Sequence, residues 1–299
     1  MPASAKPNTP KAILLATDLS ARSDRAHDRA LQLAEHWRAK LVMLVVLPQE
    51  SSFSKPNHFR KDDEDDCELP TQAELVEERV RNQLPESAIK IDIRVEEAAH
   101  IGETVLRVAE ETGCELIITG IARSDAMQRV ALGSTVVWLS RHSRIPTLVV
   151  QRRPQGAYRR VGVASDLSDA AAGALRVAAQ WFDDADSRVL LHGYDLLLRE
   201  LAGNNEVRNA AIEQAASEAD KALREWRDLA LPKAQSPHWQ LRTELCNPIR
   251  LLRQVSEAEN LDLAVIATHG RSHLVDVLIG SVAKRLLETS ITDTLIVRG

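Results

Sequence analysis

The sequence predicts an α/β fold: two tandem doubly wound domains, each with a mainly parallel five-stranded sheet. Three observations carry this expectation. Short apolar, β-branched runs alternate with longer amphipathic ones, the pattern of strands joined by helical crossovers. The pattern occurs twice, at a nearly constant offset. And 299 residues is about twice an ordinary domain length.

The repeat is legible residue by residue. Ala12-Ile-Leu-Leu-Ala-Thr-Asp-Leu-Ser20 returns as Val161-Gly-Val-Ala-Ser-Asp-Leu-Ser168, placing Asp18 and Asp166 148 positions apart. Glu115-Leu-Ile-Ile-Thr119 returns as Asp262-Leu-Ala-Val-Ile266, and Leu132-Gly-Ser134 as Ile279-Gly-Ser281, both at an offset of 147. Pro146-Thr-Leu-Val-Val150 returns as Asp293-Thr-Leu-Ile-Val297 at the same offset. Four matches in order indicate a duplication. The polar stretch Gln151–Arg160, with Pro154 and Gly156, reads as the connector. Domain boundaries at 1–152 and 158–299 follow.

In the first repeat, Lys11–Ala16, Leu41–Leu47, Ile89–Val95, Leu116–Thr119 and Thr147–Val150 read as strands. Several are apolar throughout, as strands covered on both faces are. Ser23–Arg38, Ala73–Leu84, Glu103–Glu111 and Ser134–His142 read as helices. The first has apolar residues at helical spacing: Ala26, Ala30, Leu33, Ala34 and Trp37. The second repeat follows suit, with a longer helix over about Glu206–Leu229. Thr147–Val150 and Thr294–Val297 are candidate sheet edges whose unpaired backbone groups invite association. An intramolecular pseudo-dimer or a homodimer would each use them.

Composition narrows the function. With 5 Trp, 3 Phe and 2 Tyr, the core is aliphatic and there is little material for stacking bases. A net charge of −5 supplies no global field for nucleic acid. Membrane insertion is not expected, since no run approaches the roughly eighteen apolar residues of a span. The polar N-terminus lacks a secretory apolar stretch, and Cys67, Cys114 and Cys246 are an odd, scattered set. Together these point to a cytoplasmic protein. The acidic block Lys61–Glu68 reads as a solvated loop, or as a partner or cation site without the spacing of a calcium loop.

The strongest chemical signal is Ile266–Val282, which starts at a strand end and finishes at a helix N-terminus. Gly270 can let backbone approach a ligand, Gly280 can make the tight turn, and Ser281 presents a hydroxyl beside the helix's free N–H groups. Two readings fit these residues: a phosphate cradle, or a turning loop in which Ser281 only caps a helix. Asp18 and Asp166, at strand ends where doubly wound sheets bind ligands, fit a ligand anchor, a turn residue or a base without a partner. His269 and His273 have metal-pair spacing, but Gly270 separates them and no third ligand is near. No Walker loop, Rossmann fingerprint or serine-hydrolase elbow is present.

At this motif the chain resembles the universal stress protein family in its tandem form, over nearly its whole length. The family carries Gly-x2-Gly-x9-Gly-[Ser/Thr] after the fourth strand. In the second repeat Gly270, Gly280 and Ser281 match, with Ala267 in place of the first glycine. In the first, Gly120, Gly133 and Ser134 match, with Arg123 in place of the second. The resemblance implies a Rossmann-like fold of the adenine nucleotide alpha-hydrolase-like group. It further implies adenine-nucleotide binding, ATP above all with Mg2+ as a candidate companion, in a regulatory, stress-response role. Asp166, flanked by Ala164, would anchor adenosine. Gly193 would lie near the adenine, and Ala267, Gly270, Gly280, Ser281 and Val282 would hold phosphates. The corresponding first-repeat residues are Asp18, Val46, Gly120, Gly133 and Ser134. Arg123 would either obstruct the phosphates or pair with them. The second repeat is therefore the expected site. Hydrolysis would at most be slow, as no arginine finger or positioned base is evident. The alternative is an interaction module that acts through protein partners without nucleotide.

Overall fold

The computed structural model describes residues 9–21, 23–49, 70–84, 89–121, 133–195, 205–268, 287 and 292–299. The first repeat runs β1 (Ala12–Thr17), α1 (Asp24–Trp37), β2 (Lys40–Pro48), α2 (Gln72–Gln83) and β3 (Ile91–Ala98). It continues with α3 (Ile101–Glu111), β4 (Leu116–Gly120), α4 (Ser134–His142) and β5 (Thr147–Val150). The second runs β6 (Arg160–Ala164), α5 (Asp169–Trp181), β7 (Ser187–Tyr194), α6 (Asn205–Ala230) and β8 (Gln240–Leu245). It ends with α7 (Pro248–Ala258), β9 (Leu263–Thr268) and β10 (Asp293–Arg298). The acidic block, Cys67, Arg123, His269, His273 and the loop residues Gly270, Gly280, Ser281 and Val282 lie outside the described residues.

Each repeat orders its strands in the doubly wound way, and the two five-stranded sheets join edge to edge. The result is one ten-stranded sheet in the order β3-β2-β1-β4-β5-β10-β9-β6-β7-β8. All neighbours are parallel except β5 and β10, which pair antiparallel with Leu148 opposite Leu295. The two candidate edges thus satisfy each other within one chain. The outermost strands, β3 and β8, carry Asp92, Arg94, Glu96, Arg242 and Glu244, charges that discourage further edge pairing.

The period of the strands sorts the core. Ile13 and Leu15 face α1, while Leu14 faces the layer that holds α3. On the α1 and α5 face, one apolar cluster runs unbroken across the junction; on the other face the core divides into two clusters. Local signals start the helices. Thr71 and Glu74 form a reciprocal capping box on α2, Ser168 caps α5, and Asn247 with Pro248 opens α7.

The junction is fixed by a buried polar cluster. Asp293 is fully buried at the start of β10. Its Oδ1 accepts from the backbone N–H of Gln151 (2.8 Å) and of Arg152 (2.9 Å). Its Oδ2 accepts from the Tyr158 hydroxyl at 2.7 Å. Arg29, also buried, brings Nε to 3.5 Å from the same oxygen as an ion pair, though not in hydrogen-bond alignment. Its Nη1 donates to Gly156 O at 2.8 Å, and its guanidinium lies 4.0 Å over the Tyr158 ring. Around this cluster Trp37 packs against Trp181 and Phe182, both at 5.9 Å between centroids, and Phe182 meets Tyr158 edge-on. Four of the chain's few aromatics are thus spent on one seam.

Removing the Asp293 carboxylate leaves a buried guanidinium and two linker N–H groups unanswered, so Asp293→Ala is expected to cost about 3–5 kcal/mol in urea unfolding. Burial, and then the Asp293 charge, push the Tyr158 hydroxyl well above its ordinary value of 10.0. The unfolded chain therefore ionises this tyrosine first, and its contribution, complete below pH 10, is lost as pH rises beyond it. Tyr158→Phe should flatten that part of the alkaline stability profile.

Candidate functional site

The order β3-β2-β1-β4-β5 reverses between β1 and β4, where a crevice opens beyond the carboxyl ends of the strands. A cleft of about 210 Å³ occupies this position. Ala16, Leu44, Val46 and Val105 give it apolar walls, with Ile101 at 45% exposure. Thr17, Asp18, Ser23, Thr119 and Thr135 supply its polar groups. Gly120 and Gly133 border it where β4 ends and α4 begins. Gly133 brings no capping side chain to α4, so among the described residues no side chain takes up the first-turn N–H groups that an anion would meet.

Asp18 sits in a strained turn. Thr17 Oγ1 accepts from Leu19 N at 3.1 Å, and Asp18 Oδ1 accepts from Ser20 N at 3.0 Å. Leu19 is held at φ 56°, a conformation that costs a bulky L-residue about 1–2 kcal/mol. The second repeat builds the same turn: Ser165 Oγ accepts from Leu167 N at 3.0 Å, Asp166 Oδ1 from Ser168 N at 3.1 Å, and Leu167 has φ 62°. The same strained turn thus stands at both strand ends, directly after each aspartate.

The copies then part. In the first, the Ser20 hydroxyl donates to Asp18 Oδ1 at 2.7 Å, and so does the Ser23 hydroxyl. Ser23 is the N-cap residue of α1 yet makes no side-chain cap, forgoing about 0.5–2 kcal/mol of helix stabilisation. In the second, Ser168 Oγ accepts from Ala171 N at 3.2 Å and caps α5, and alanine stands where Ser23 stood. Burial raises Asp18, but the hydrogen bonds from Ser23 and Ser20 outweigh it and hold the carboxyl below its ordinary range.

The chain belongs to the universal stress protein family. The family model matches twice, over residues 10–151 and 157–298. No curated protein matches the chain. Among solved structures it is similar to a functionally unknown protein from Pseudomonas aeruginosa PAO1, at 16% identity and a TM-score of 0.67, covering 97% of this chain and 92% of that one. A universal stress protein from Archaeoglobus fulgidus DSM 4304 matches at 16% identity and a TM-score of 0.61, covering 96% of this chain and 98% of that one. A universal stress protein solved in complex with cAMP covers 48% of this chain at 23% identity, with a TM-score of 0.31 and 98% of its own chain aligned.

In this universal stress protein the structure gathers Asp18, Val46, Gly120 and Gly133 around one cleft, with Ser134 opening α4 beside it. In the second repeat Ala164 ends β6 just before Asp166, and Ala267 lies in the extended backbone of β9. Its methyl therefore meets no demand for positive φ. Gly193 has a steric reason to be glycine: a Cβ there would lie 2.6 Å from Cys246 O and 3.0 Å from Pro248 N. The connection from β8 to α7 therefore passes close against the backbone of Gly193. Sequence reasoning missed Gln151, Tyr158 and Asp293 as a junction, and Ser20 and Ser23 as partners of Asp18. The Asp-x-Ser-x-x-Ser spacing of residues 18–23, against Asp-x-Ser-x-x-Ala in residues 166–171, is the available signal for the serines. Burial raises the Cys114 and Cys246 thiols, which leaves both protonated and unreactive at neutral pH. Among the described residues no cluster of three or more His, Cys, Asp or Glu is placed to hold a metal, and no helix is long and apolar enough to cross a membrane.

Gly193→Ala should lower stability by about 1–3 kcal/mol, the usual cost of overpacking against backbone. Gly173, inside α5, has open space where a Cβ would stand, with no atom within 4 Å. It should respond the other way: Gly173→Ala is expected to gain about 0.5–1 kcal/mol. Paired denaturant melts check both signs.

Proposed function

We propose that this tandem universal stress protein binds an adenine nucleotide and acts as a regulatory module, not as a metabolic enzyme. The observation that carries the reading is the first-repeat cleft. Its apolar walls suit the faces of a base, and the ionised Asp18 suits an amino or hydroxyl donor. The N-terminus of α4, past Gly133 and Ser134, suits phosphate. A volume of about 210 Å³ is below the roughly 300–1,000 Å³ of drug-sized pockets, so it fits a nucleoside part with phosphates directed toward α4. ATP is the proposed ligand.

The second repeat is a further proposed site, in which Asp166 anchors and Gly270, Gly280 and Ser281 hold phosphate. Its motif departs from the family's by the milder change, Ala267 against Arg123 in the first repeat. The close approach of the β8–α7 connection to Gly193, where the first repeat has Val46, favours instead a divergent second repeat that serves as an interaction module.

Titration calorimetry with ATP separates these readings. Val46→Trp, which fills the first cleft, is expected to remove one site, and Gly280→Lys to remove any second. A wild-type protein that binds no adenine nucleotide, or binds it unchanged in both variants, would overturn the proposal.

A further inference from the structure

The two repeats hold the same aspartate in the same strained turn, but the serine hydroxyls beside it are used differently. Asp18 Oδ1 receives the Ser20 N–H, the Ser20 hydroxyl and the Ser23 hydroxyl. In the second repeat the equivalent serine turns its hydroxyl to the helix, accepting from Ala171 N, and position 171 has no hydroxyl to offer. The helices register the difference. α5 begins at Asp169, immediately after its capping serine, whereas α1 begins at Asp24, one turn later relative to its aspartate. Ahead of this later start, the Ser20 and Ser23 hydroxyls both donate to one carboxylate oxygen.

Three donors on Oδ1 saturate it and fix the plane of the carboxylate. Among the described residues no donor meets Oδ2, which leaves it as the oxygen for a ligand. We propose that Ser23, supported by Ser20, is a positioning residue that presents the Asp18 carboxylate to N–H or O–H donors of a ligand in the first-repeat cleft. Such donors are the amino and hydroxyl groups of a nucleoside. This rests on the nucleotide reading above. It deepens that reading by assigning donor recognition to a serine pair which the second repeat has in part exchanged for a helix cap.

The physical consequence is preorganisation. A carboxylate held in place loses less freedom on binding than one that must be ordered by the ligand. It also stays ionised to lower pH than an unsupported one. Among the described residues Asp18 is the only ionisable side chain lining the cleft. Asp24 and His27 line a small cavity on the far side of Ser23, and His27 lies 3.9 Å from Asp28. An Asp18→Asn reference, whose profile contains these neighbours without Asp18, controls for them.

The test measures ATP affinity from pH 4 to 8 in a Gly280→Lys background, so that only the first repeat is read. Ser23→Ala is expected to weaken binding about tenfold, the loss typical of a hydrogen bond to a charged group, and to move the acid limit of binding to higher pH. Ser23→Thr, which keeps the hydroxyl, should restore both. Carboxyl NMR of the ligand-free protein should show Asp18 titrating higher in Ser23→Ala than in wild type. If ATP binds and Ser23→Ala matches wild type in affinity and pH profile, the positioning role is wrong while the nucleotide reading stands. If the Gly280→Lys protein binds no ATP but wild type does, the nucleotide reading survives in the second repeat alone and the role of Ser23 falls. Absence of binding in wild type overturns both.

Discussion

At the start of the last strand, the buried carboxylate of Asp293 meets two backbone N–H groups of the linker, the Tyr158 hydroxyl and the Arg29 guanidinium. These partners come from the connector and α1, so one side chain of β10 ties both repeats to the segment between them. The antiparallel pairing of β5 and β10 beside it removes the two sheet edges that each repeat would otherwise expose. Neither device suffices alone. A three-residue ladder is short, and a buried charge without all its partners would be costly. Together with the aromatic seam of Trp37, Trp181, Phe182 and Tyr158, they make one sheet from two.

This joint also sets where ligands can go. The binding crevices of doubly wound sheets lie at the strand-order reversal, and the antiparallel join leaves both reversals, at β1/β4 and β6/β9, away from the seam. Each repeat keeps its own strand-order reversal and its own strained aspartate turn. Duplication then permits division of labour, because one copy can hold the fold while the other is tuned for recognition. The Ser23/Ala171 and Val46/Gly193 differences both lie near these reversals, away from the β5–β10 pairing.

The repeat, the order of the elements and their approximate bounds were legible because they rest on local patterns: apolar runs, helical periodicity and turn residues. Thr147–Val150 and Ser134–His142 appear where the periodicity places them. The aspartates were legible as strand-end residues. Their surroundings were not, since whether a serine caps a helix or turns to a carboxylate depends on where the helix begins. That is settled by packing over several residues. Gly193 illustrates the same limit: a glycine in a strand signals close approach, but only the path of the β8–α7 connection identifies what approaches.

The sequence by itself determined that this protein is a duplicated α/β chain of the universal stress type with acidic residues at two strand ends, because duplication and periodicity are properties of the chain read along its length. Only the tertiary structure decided that the repeats share one sheet, that Arg29 is an interior cation and not a surface one, and that the serine hydroxyls beside the two aspartates are used differently. Each of these depends on groups more than a hundred residues apart, or on a hydroxyl's choice between neighbours. No local pattern encodes those meetings, and the cost of leaving buried polar groups unpaired is what fixes them.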